Sequence, residues 1–246
     1  MNVIWHEDFT QSYCADPAAA FGRMEAVIDV IRDRVMFVPA IPADEDDIRA
    51  CHTEQHIASV KRQGLYDMAA LAAGGAIQAA LVGLSQPCFA LIRPPGHHAS
   101  ANSAWGFCFF NNMAVAISKL RREEAIRKAF ILDFDLHFGD GSVNILGNAD
   151  YVTIYNPSES DPNAYLRNVE AMLPDDADII GVSAGFDNHL EDWGGVLSTD
   201  HYREMGRMVR AASRKSGGGC FAILEGGYNH RVLGHNVMAL IEGLEE

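Results

Sequence analysis

The stretch FILDFDLHFGDG, residues 130–141, begins as an apolar run and turns abruptly into carboxylates, a histidine and glycines. Its apolar half predicts a buried strand. Residues two apart in a strand point to the same side, so Asp133, Asp135 and His137 share one side if the extended geometry persists. Carboxylate and imidazole groups at a strand end are ligands of divalent transition metals such as zinc. An acidic loop that caps a strand fits this stretch, taken alone, equally well.

Six further apolar runs of strand length, separated by helical patterns, surround this stretch. They cover residues 2–5, 35–38, 88–92, 151–155, 177–183 and 220–224. Because the runs are continuously apolar rather than alternating, they predict a parallel sheet that helices cover on both faces. An N-terminal helix is predicted from Asp16 to about Arg34. With 246 residues and no linker or repeat, the chain is expected to form one α/β domain over residues 1–246.

Composition and charge restrict the classes of function. The net charge of −14 argues against a nucleic-acid surface and is compatible with a cationic substrate, such as a polyamine or a lysine side chain. No apolar stretch is long enough to span a bilayer, and acidic residues follow Met1 too closely for a signal peptide. The five cysteines are scattered without a CxxC pair, which is typical of reduced thiols in a cytoplasmic protein.

Polar side chains follow four of the predicted strands at the point where each strand ends. These ends carry His97-His98, the acidic stretch from Asp133 to Asp140, Asp187, and Gly226-Gly227-Tyr228. In an open parallel sheet, ligands bind at the carboxyl ends of the strands, so we expect the four groups on one rim. Metal ligands, bases and a hydroxyl donor would then meet in one place, which indicates a catalytic site.

Five short motifs occur in a fixed order between residues 93 and 229. They are RPPGHH (93–98), GFCFFNN (106–112), LDFDLHFGDG (132–141), SAGFD (183–187) and LEGGYN (224–229). In order and spacing they resemble the motifs of the zinc-dependent histone deacetylase superfamily, which includes the acetylpolyamine amidohydrolases. The resemblance implies the arginase/deacetylase fold, a single, mostly parallel eight-stranded sheet between helical layers, and a metal-dependent deacetylase activity.

The resemblance also implies a set of metal ligands. Asp135, His137 and Asp187 match the zinc ligands, and three protein ligands leave a position open for water and the substrate carbonyl. Zinc lowers the pKa of a bound water and polarises the acetyl carbonyl. Ferrous iron is an alternative metal in the cell. A structural potassium ion is implied as well, held through Asp133, Asp135, His137, Thr153 and Ile154.

Catalytic roles follow from the same resemblance. His97 and His98 match the tandem histidines of the family, with His98 as the general base that takes the water proton. Asp133 matches the carboxylate that orients His97, and Asp140 matches the partner of His98. Tyr228 matches the tyrosine whose hydroxyl donates to the developing oxyanion.

The sequence departs from the family pattern around the rim of the site. Gly106 and Phe107 match residues that line the acyl-amine channel, with Phe107 as one apolar wall. The aromatic pair of the second wall is missing after Asn156, and Tyr155 or Tyr165 is the candidate substitute. Much of the rim loop that carries a substrate-holding aspartate in relatives is absent. The dimer-forming insertion of some relatives is missing too, which favours a monomer.

The leading hypothesis is an amidohydrolase that removes an acetyl or other short acyl group from an amine. An acetylpolyamine-like small molecule is the first candidate substrate, and acetyl-lysine, or lysine with a different acyl group, is the second. A binuclear manganese ureohydrolase is disfavoured because it needs additional metal-bridging aspartates. A non-catalytic acyl-amine binding protein is also disfavoured. Such a protein would be expected to have lost a metal ligand, a catalytic histidine or the tyrosine, and none is lost.

Overall fold

A computed structural model describes residues 1–246 and contains one sheet of seven strands. The strands are β1 (Asn2–Trp5), β2 (Met36–Pro39), β3 (Cys88–Ala90), β4 (Ala129–Asp133), β5 (Val152–Tyr155), β6 (Ile179–Ala184) and β7 (Gly219–Leu224). Each strand falls on one of the seven apolar runs. The sheet therefore has seven strands, one fewer than the family resemblance implies.

The order of the strands brings the polar strand ends together. Across the sheet the order is β2-β1-β3-β7-β6-β4-β5. Every pair is parallel, so the carboxyl ends of all strands lie at one edge of the sheet. The four strands that end in polar clusters, namely β3, β7, β6 and β4, are consecutive in this order. Their clusters therefore meet at one rim, as the sequence predicts.

Nine α-helices surround the sheet. They are α1 (Arg23–Ile31), α2 (Glu45–Arg49), α3 (Glu54–Arg62), α4 (Tyr66–Gly83), α5 (Asn112–Arg122), α6 (Asp140–Leu146), α7 (Pro162–Met172), α8 (Thr199–Ser216) and α9 (His230–Glu245). Two neighbouring residues of β7 contact different helices. Phe221 lies against Gly83 of α4, and Cys220 contacts Ser213 of α8. Adjacent residues of a strand point to opposite faces, so helices cover both faces of the sheet. None of the helices combines the length and the apolar character needed to cross a bilayer.

The strands that carry the site are the most deeply buried ones. Every residue of β3, β4, β6 and β7 is buried, whereas the edge strands β2 and β5 contain no buried residue. Full burial of an aliphatic or aromatic side chain stabilises a fold by roughly 1.5–3 kcal/mol. The rim of polar side chains is therefore anchored on the best-packed part of the molecule.

The predicted N-terminal helix is shorter in the structure than its sequence pattern suggests. A 3₁₀ turn covers Pro17–Ala19, and α1 begins only at Arg23. Gly22 separates the two with φ at +83°, a left-handed conformation that glycine adopts without steric cost. Phe21, which helical spacing assigns to the apolar face, is consequently 82% exposed.

Candidate metal centre and active site

Three side chains at the carboxyl edge of the sheet form a group suited to a metal ion. Asp135 and His137 follow β4, and Asp187 follows the adjacent strand β6. One ligand atom of each residue lies within 4.8 Å of the other two. His137 Nδ1 is 3.1 Å from Asp135 Oδ1 and 3.0 Å from Asp187 Oδ2. The structure therefore brings together the three residues that the resemblance assigns to zinc.

This group combines two buried carboxylates with one partly buried imidazole. Burial and the charge of Asp135 raise the pKa of Asp187. The carboxylate of Asp135, to which the imidazole is hydrogen bonded, and that of Asp187 raise the pKa of His137 to about 10. Asp187 Oδ2 is buried and has no partner with good hydrogen-bond geometry, although His137 Nδ1 lies 3.0 Å away. A divalent cation would satisfy this oxygen and balance both carboxylates, so the donor set fits zinc with three protein ligands.

Two buried histidines, each paired with a carboxylate, lie beside the metal group. His97 Nδ1 is 3.1 Å from Asp133 Oδ2, and His98 Nδ1 is 2.7 Å from Asp140 Oδ1. Although burial opposes it, the carboxylates of Asp133 and Asp135 raise the pKa of His97 well above its ordinary value. Burial and the adjacent His97 lower the pKa of His98 to about 4. One imidazole is thus charged and its neighbour neutral near neutral pH, an arrangement suited to one acid and one base.

A tight turn after the histidines builds one wall of the site. Gly106 and Phe107 both adopt left-handed conformations, with φ at +58° and +69°. A side chain at Gly106 would come within 2.3 Å of His98 Cδ2, so only glycine fits against the imidazole. The Phe107 ring meets the Tyr228 ring edge-on, with 5.9 Å between the centroids. Both residues of the turn line the cavity next to the histidines.

Tyr228 forms part of the opposite wall and is held by Asp192 and by Trp193, for which the sequence favours a rim contact and plain packing equally. Burial and the charge of Asp135 raise the pKa of Tyr228, so its hydroxyl stays protonated and available as a donor. The carboxylate of Asp192 accepts the backbone N–H groups of Tyr228 and Asn229 at 2.8 and 2.7 Å. Trp193 stacks on the Tyr228 ring, with 4.0 Å between the centroids.

These side chains enclose a cavity of about 100 Å³. Its aromatic lining consists of Trp105, Phe107, Trp193 and Tyr228. The second wall is therefore Trp193 and not Tyr155 or Tyr165, which the sequence suggested. Tyr155 ends the edge strand β5 on the far side of β4, and Tyr165 is fully buried. No carboxylate and no lysine or arginine is among the residues that line the cavity.

Glu225 is a buried residue of the site that the sequence analysis missed. It follows β7 directly and is fully buried. Its Oε2 accepts the backbone N–H groups of Gly96 and His97 at 2.7 and 3.2 Å. Burial raises the pKa of its carboxyl to about 7. The sequence does contain a sign of this role. Glu225 stands directly between a buried apolar strand and Gly226-Gly227, a position where an acidic side chain needs a specific partner.

The residues expected to hold potassium are only partly brought together. Asp133, Asp135 and His137 lie at the same strand end, and the backbone N–H of Asp135 donates to Asp133 Oδ1 at 3.3 Å. Thr153 pairs with Phe130, and Ile154 with the residue after it. Both therefore lie at the middle of the β4–β5 ladder, set back from Asp133 by two or three residues. A potassium ion held by all five residues therefore stays a prediction.

Comparisons with known proteins identify the relatives of this chain. A family model of the histone deacetylase domain matches residues 18–165 and 163–244. A probable deacetylase from Archaeoglobus fulgidus is 30% identical over 80% of this chain and 70% of its own length. A histone deacetylase-like amidohydrolase from Pseudomonas aeruginosa is 27% identical over 90% of this chain and 74% of its own length. A polyamine deacetylase from Mus musculus is 26% identical over 98% of this chain and 48% of its own length.

A solved structure gives the likeness in three dimensions. The crystal structure of the HDA15 HD domain superimposes with a TM-score of 0.82 at 23% identity, over 99% of this chain and 89% of that domain. At this level of identity the likeness concerns the fold. It confirms the predicted α/β architecture of the arginase/deacetylase type.

Proposed function

The chain belongs to the histone deacetylase family, and on that premise we propose that it is a zinc-dependent amidohydrolase that removes a short acyl group from an amine. The observation that carries this proposal is the single cavity on which three kinds of group converge. The metal group of Asp135, His137 and Asp187 adjoins a neutral histidine, His98, and a protonated tyrosine, Tyr228. Hydrolysis of an amide needs an activated water, a base and an oxyanion donor, and this set supplies each of them.

The side chains of this protein would divide the work as follows. A zinc ion held by the three ligands supplies Lewis-acid activation of the water and of the acyl carbonyl. His98 hydrogen bonds to Asp140 through Nδ1, so Nε2 remains to take the proton of the attacking water. The proton then passes, from His98 or through the charged His97, to the leaving amine. The Tyr228 hydroxyl donates to the oxygen on which negative charge develops.

The size and lining of the cavity support a small acyl group on an unbranched amine. A cavity of about 100 Å³ between aromatic side chains accommodates acetyl more readily than a long acyl chain. The protein carries a net charge of −14, which favours the approach of a cationic substrate. An acetylated polyamine combines both properties, and one of the relatives is a polyamine deacetylase. Acetyl-lysine in a peptide is the second candidate, because it presents the same acylated alkyl amine.

Two other functions have less support. A binuclear site would need a second set of ligands, whereas the structure contains one group of three metal-ligating side chains. A non-catalytic binding protein would not need the paired His97–Asp133 and His98–Asp140 groups, both of which are intact.

Acetate release by the zinc-loaded protein tests the proposal, with N-acetylputrescine, N-acetylspermidine and an acetyl-lysine peptide compared side by side. Tyr228→Phe is the matched variant, since it keeps the ring and removes the donor. We expect the polyamines to be hydrolysed fastest and the variant to lose about a hundred- to a thousandfold in rate. Faster hydrolysis of the peptide would make the protein a lysine deacylase. If none of the three released acetate while one zinc was bound per chain, the acyl group proposed here would be wrong.

A further inference from the structure

Trp105 contacts two residues of the site, Asp140 and His98, although its position in the sequence does not predict these contacts. It is 55% exposed, although a large aromatic side chain is usually covered. Its indole N–H donates to Asp140 Oδ2 at 2.9 Å. Its ring also lies against the His98 ring, with 3.8 Å between the centroids and 31° between the planes. A single exposed side chain thus touches both members of the pair to which the base belongs.

We propose that Trp105 is a positioning residue that fixes the His98–Asp140 pair for proton transfer. The proposal rests on the function proposed above, in which His98 is the base, and adds a residue to it. Trp105 itself would act through its neighbours. Its role differs from that of Trp193, which stacks on Tyr228 on the other side of the cavity.

The indole of Trp105 restrains the carboxylate of Asp140. His98 Nδ1 and Trp105 Nε1 occupy the two different oxygens of Asp140, at 2.7 and 2.9 Å. A carboxylate held at both oxygens cannot rotate about its bond to the β-carbon without losing one hydrogen bond. The side chain of Asp140 is 43% exposed, so water competes for Oδ2 whenever the indole is absent. The indole therefore keeps Asp140 in the orientation in which its other oxygen meets His98.

The Trp105 ring also restrains the imidazole of His98. His97 and Trp105 flank the His98 ring at centroid distances of 4.0 and 3.8 Å. Two rings in contact leave His98 little freedom to turn about its side-chain bonds. With Nδ1 bound to Asp140, this restriction fixes the direction of Nε2, the atom that would take the water proton. Geometry of this kind contributes to catalysis because a misplaced base transfers protons poorly.

The backbone around Trp105 holds the indole in place. The Trp105 carbonyl accepts the N–H of Cys108 at 3.0 Å and so closes a turn. Gly106 and Phe107, inside this turn, have left-handed conformations. This turn also carries the Phe107 wall of the cavity. The indole is therefore presented by a structured turn.

Three variants separate the contributions. Trp105→Phe retains a ring against His98 and removes the N–H, whereas Trp105→Ala removes both. Phe21→Ala is the matched control, since it removes an aromatic ring that is 82% exposed and lies outside the cavity. Zinc content and thermal unfolding of each variant exclude loss of metal or of the fold. The steady-state parameters kcat and KM are measured with the best of the acetylated amines.

We expect Trp105→Phe to lower kcat about tenfold and to change KM by less than about twofold, since it removes a hydrogen bond to a charged group that positions the base but leaves the wall in place. Trp105→Ala should lower kcat further and also raise KM, because it removes part of the cavity wall. Phe21→Ala should behave like the wild type. Wild-type kcat in Trp105→Phe would overturn the proposal.

A second readout does not depend on turnover. Only three tryptophans are present, so the indole N–H signal of Trp105 in the NMR spectrum of the zinc-loaded, isotope-labelled protein is assigned by its loss in Trp105→Phe. We expect slow solvent exchange of this N–H and a clear shift of its signal in Asp140→Asn. If the indole N–H exchanged fast with solvent and its signal did not shift in Asp140→Asn, the proposal would be overturned even in an active enzyme. If the wild type releases no acetate, the proposed function fails, and the NMR result alone decides whether Trp105 holds Asp140.

Discussion

Glu225 accepts the backbone N–H of Gly96 at 2.7 Å and thereby joins the end of β7 to the loop that carries the tandem histidines. The same carboxylate oxygen accepts the N–H of His97 at 3.2 Å. Two segments that follow adjacent strands of the sheet, β3 and β7, are thus joined through a buried acidic group beside His97. This contact links the backbone at His97 to the segment that carries Tyr228, three residues beyond Glu225.

Replacement of Glu225 tests that connection. Glu225→Ala leaves two buried N–H groups without a partner, and each such group costs about 1–3 kcal/mol. We expect the melting temperature to fall by several degrees, at about 2–4 °C per kcal/mol for a protein of this size. Glu225→Gln retains an acceptor and should stay close to the wild type. A Glu225→Ala variant with an unchanged melting temperature would contradict this account.

Trp193 is expected to matter for substrate binding more than for chemistry. Trp193→Ala removes a wall of the cavity and the stacking partner of Tyr228. Aromatic pairs contribute about 0.5–1.5 kcal/mol beyond their buried area, so KM should rise by roughly three- to tenfold and kcat should change less. Trp193→Phe, which restores a ring, should recover most of the loss. A large fall in kcat with an unchanged KM would assign Trp193 to the chemical step instead.

The acid stability of the protein should depend on His52. This residue is almost fully buried, its Nδ1 lies 3.0 Å from the Ser100 carbonyl, and its Nε2 accepts the N–H of Asn111 at 2.9 Å. Burial lowers its pKa to about 4. The imidazole is therefore neutral in the folded protein and becomes protonated first in the unfolded chain, whose histidines have a pKa of about 6.5.

The sign of this effect follows from linkage. Stability due to a neutral His52 is present above about pH 6.5 and is lost as the pH falls from there through about 4, by up to ~3 kcal/mol. His52→Gln cannot be protonated in this range. It should be less stable than the wild type at pH 7.5, and the difference between the two should shrink towards pH 4. Urea unfolding at several pH values measures this, and a difference that is constant with pH would contradict the expectation.

Removal of the metal should destabilise the wild type selectively. A ligand that binds only the folded state at a hundred times its Kd contributes about 2.7 kcal/mol, so a chelator should lower the melting temperature by several degrees. Asp187→Ala removes a ligand and should show little dependence on chelator or added zinc. A wild-type melting temperature that does not respond to zinc or chelator would contradict the proposed zinc site.

Much of the fold could be predicted because the relevant information is local. Seven continuous apolar runs became the seven strands, and the parallel arrangement then placed His98, Asp135 and Asp187 at one rim. The family resemblance added an eighth strand that this short chain lacks. Gly22 interrupted a helix whose apolar spacing looked regular, because spacing does not report a left-handed residue.

The parts that could not be predicted depend on contacts between distant segments. Trp105 meets Asp140 across 35 residues, and Asp192 meets the Tyr228 backbone across 36 residues. Closeness to Asp187 in the sequence makes Trp193 a candidate for the rim of the site, but nothing local shows that Trp193 stacks on Tyr228 or that Trp105 stacks on His98. Such contacts are set by loop conformations, which periodicity and strand order do not define.

Zinc titration of the metal-free protein, with acetate release from an acetylated polyamine recorded at each step, tests the central claim most directly. We expect acetate release to be absent in chelator and to rise with added zinc. It should reach its maximum at one zinc per chain, because Asp135, His137 and Asp187 form the one group of three ligands. Activity that persists in chelator, or that requires two metal ions per chain, would contradict the mononuclear mechanism.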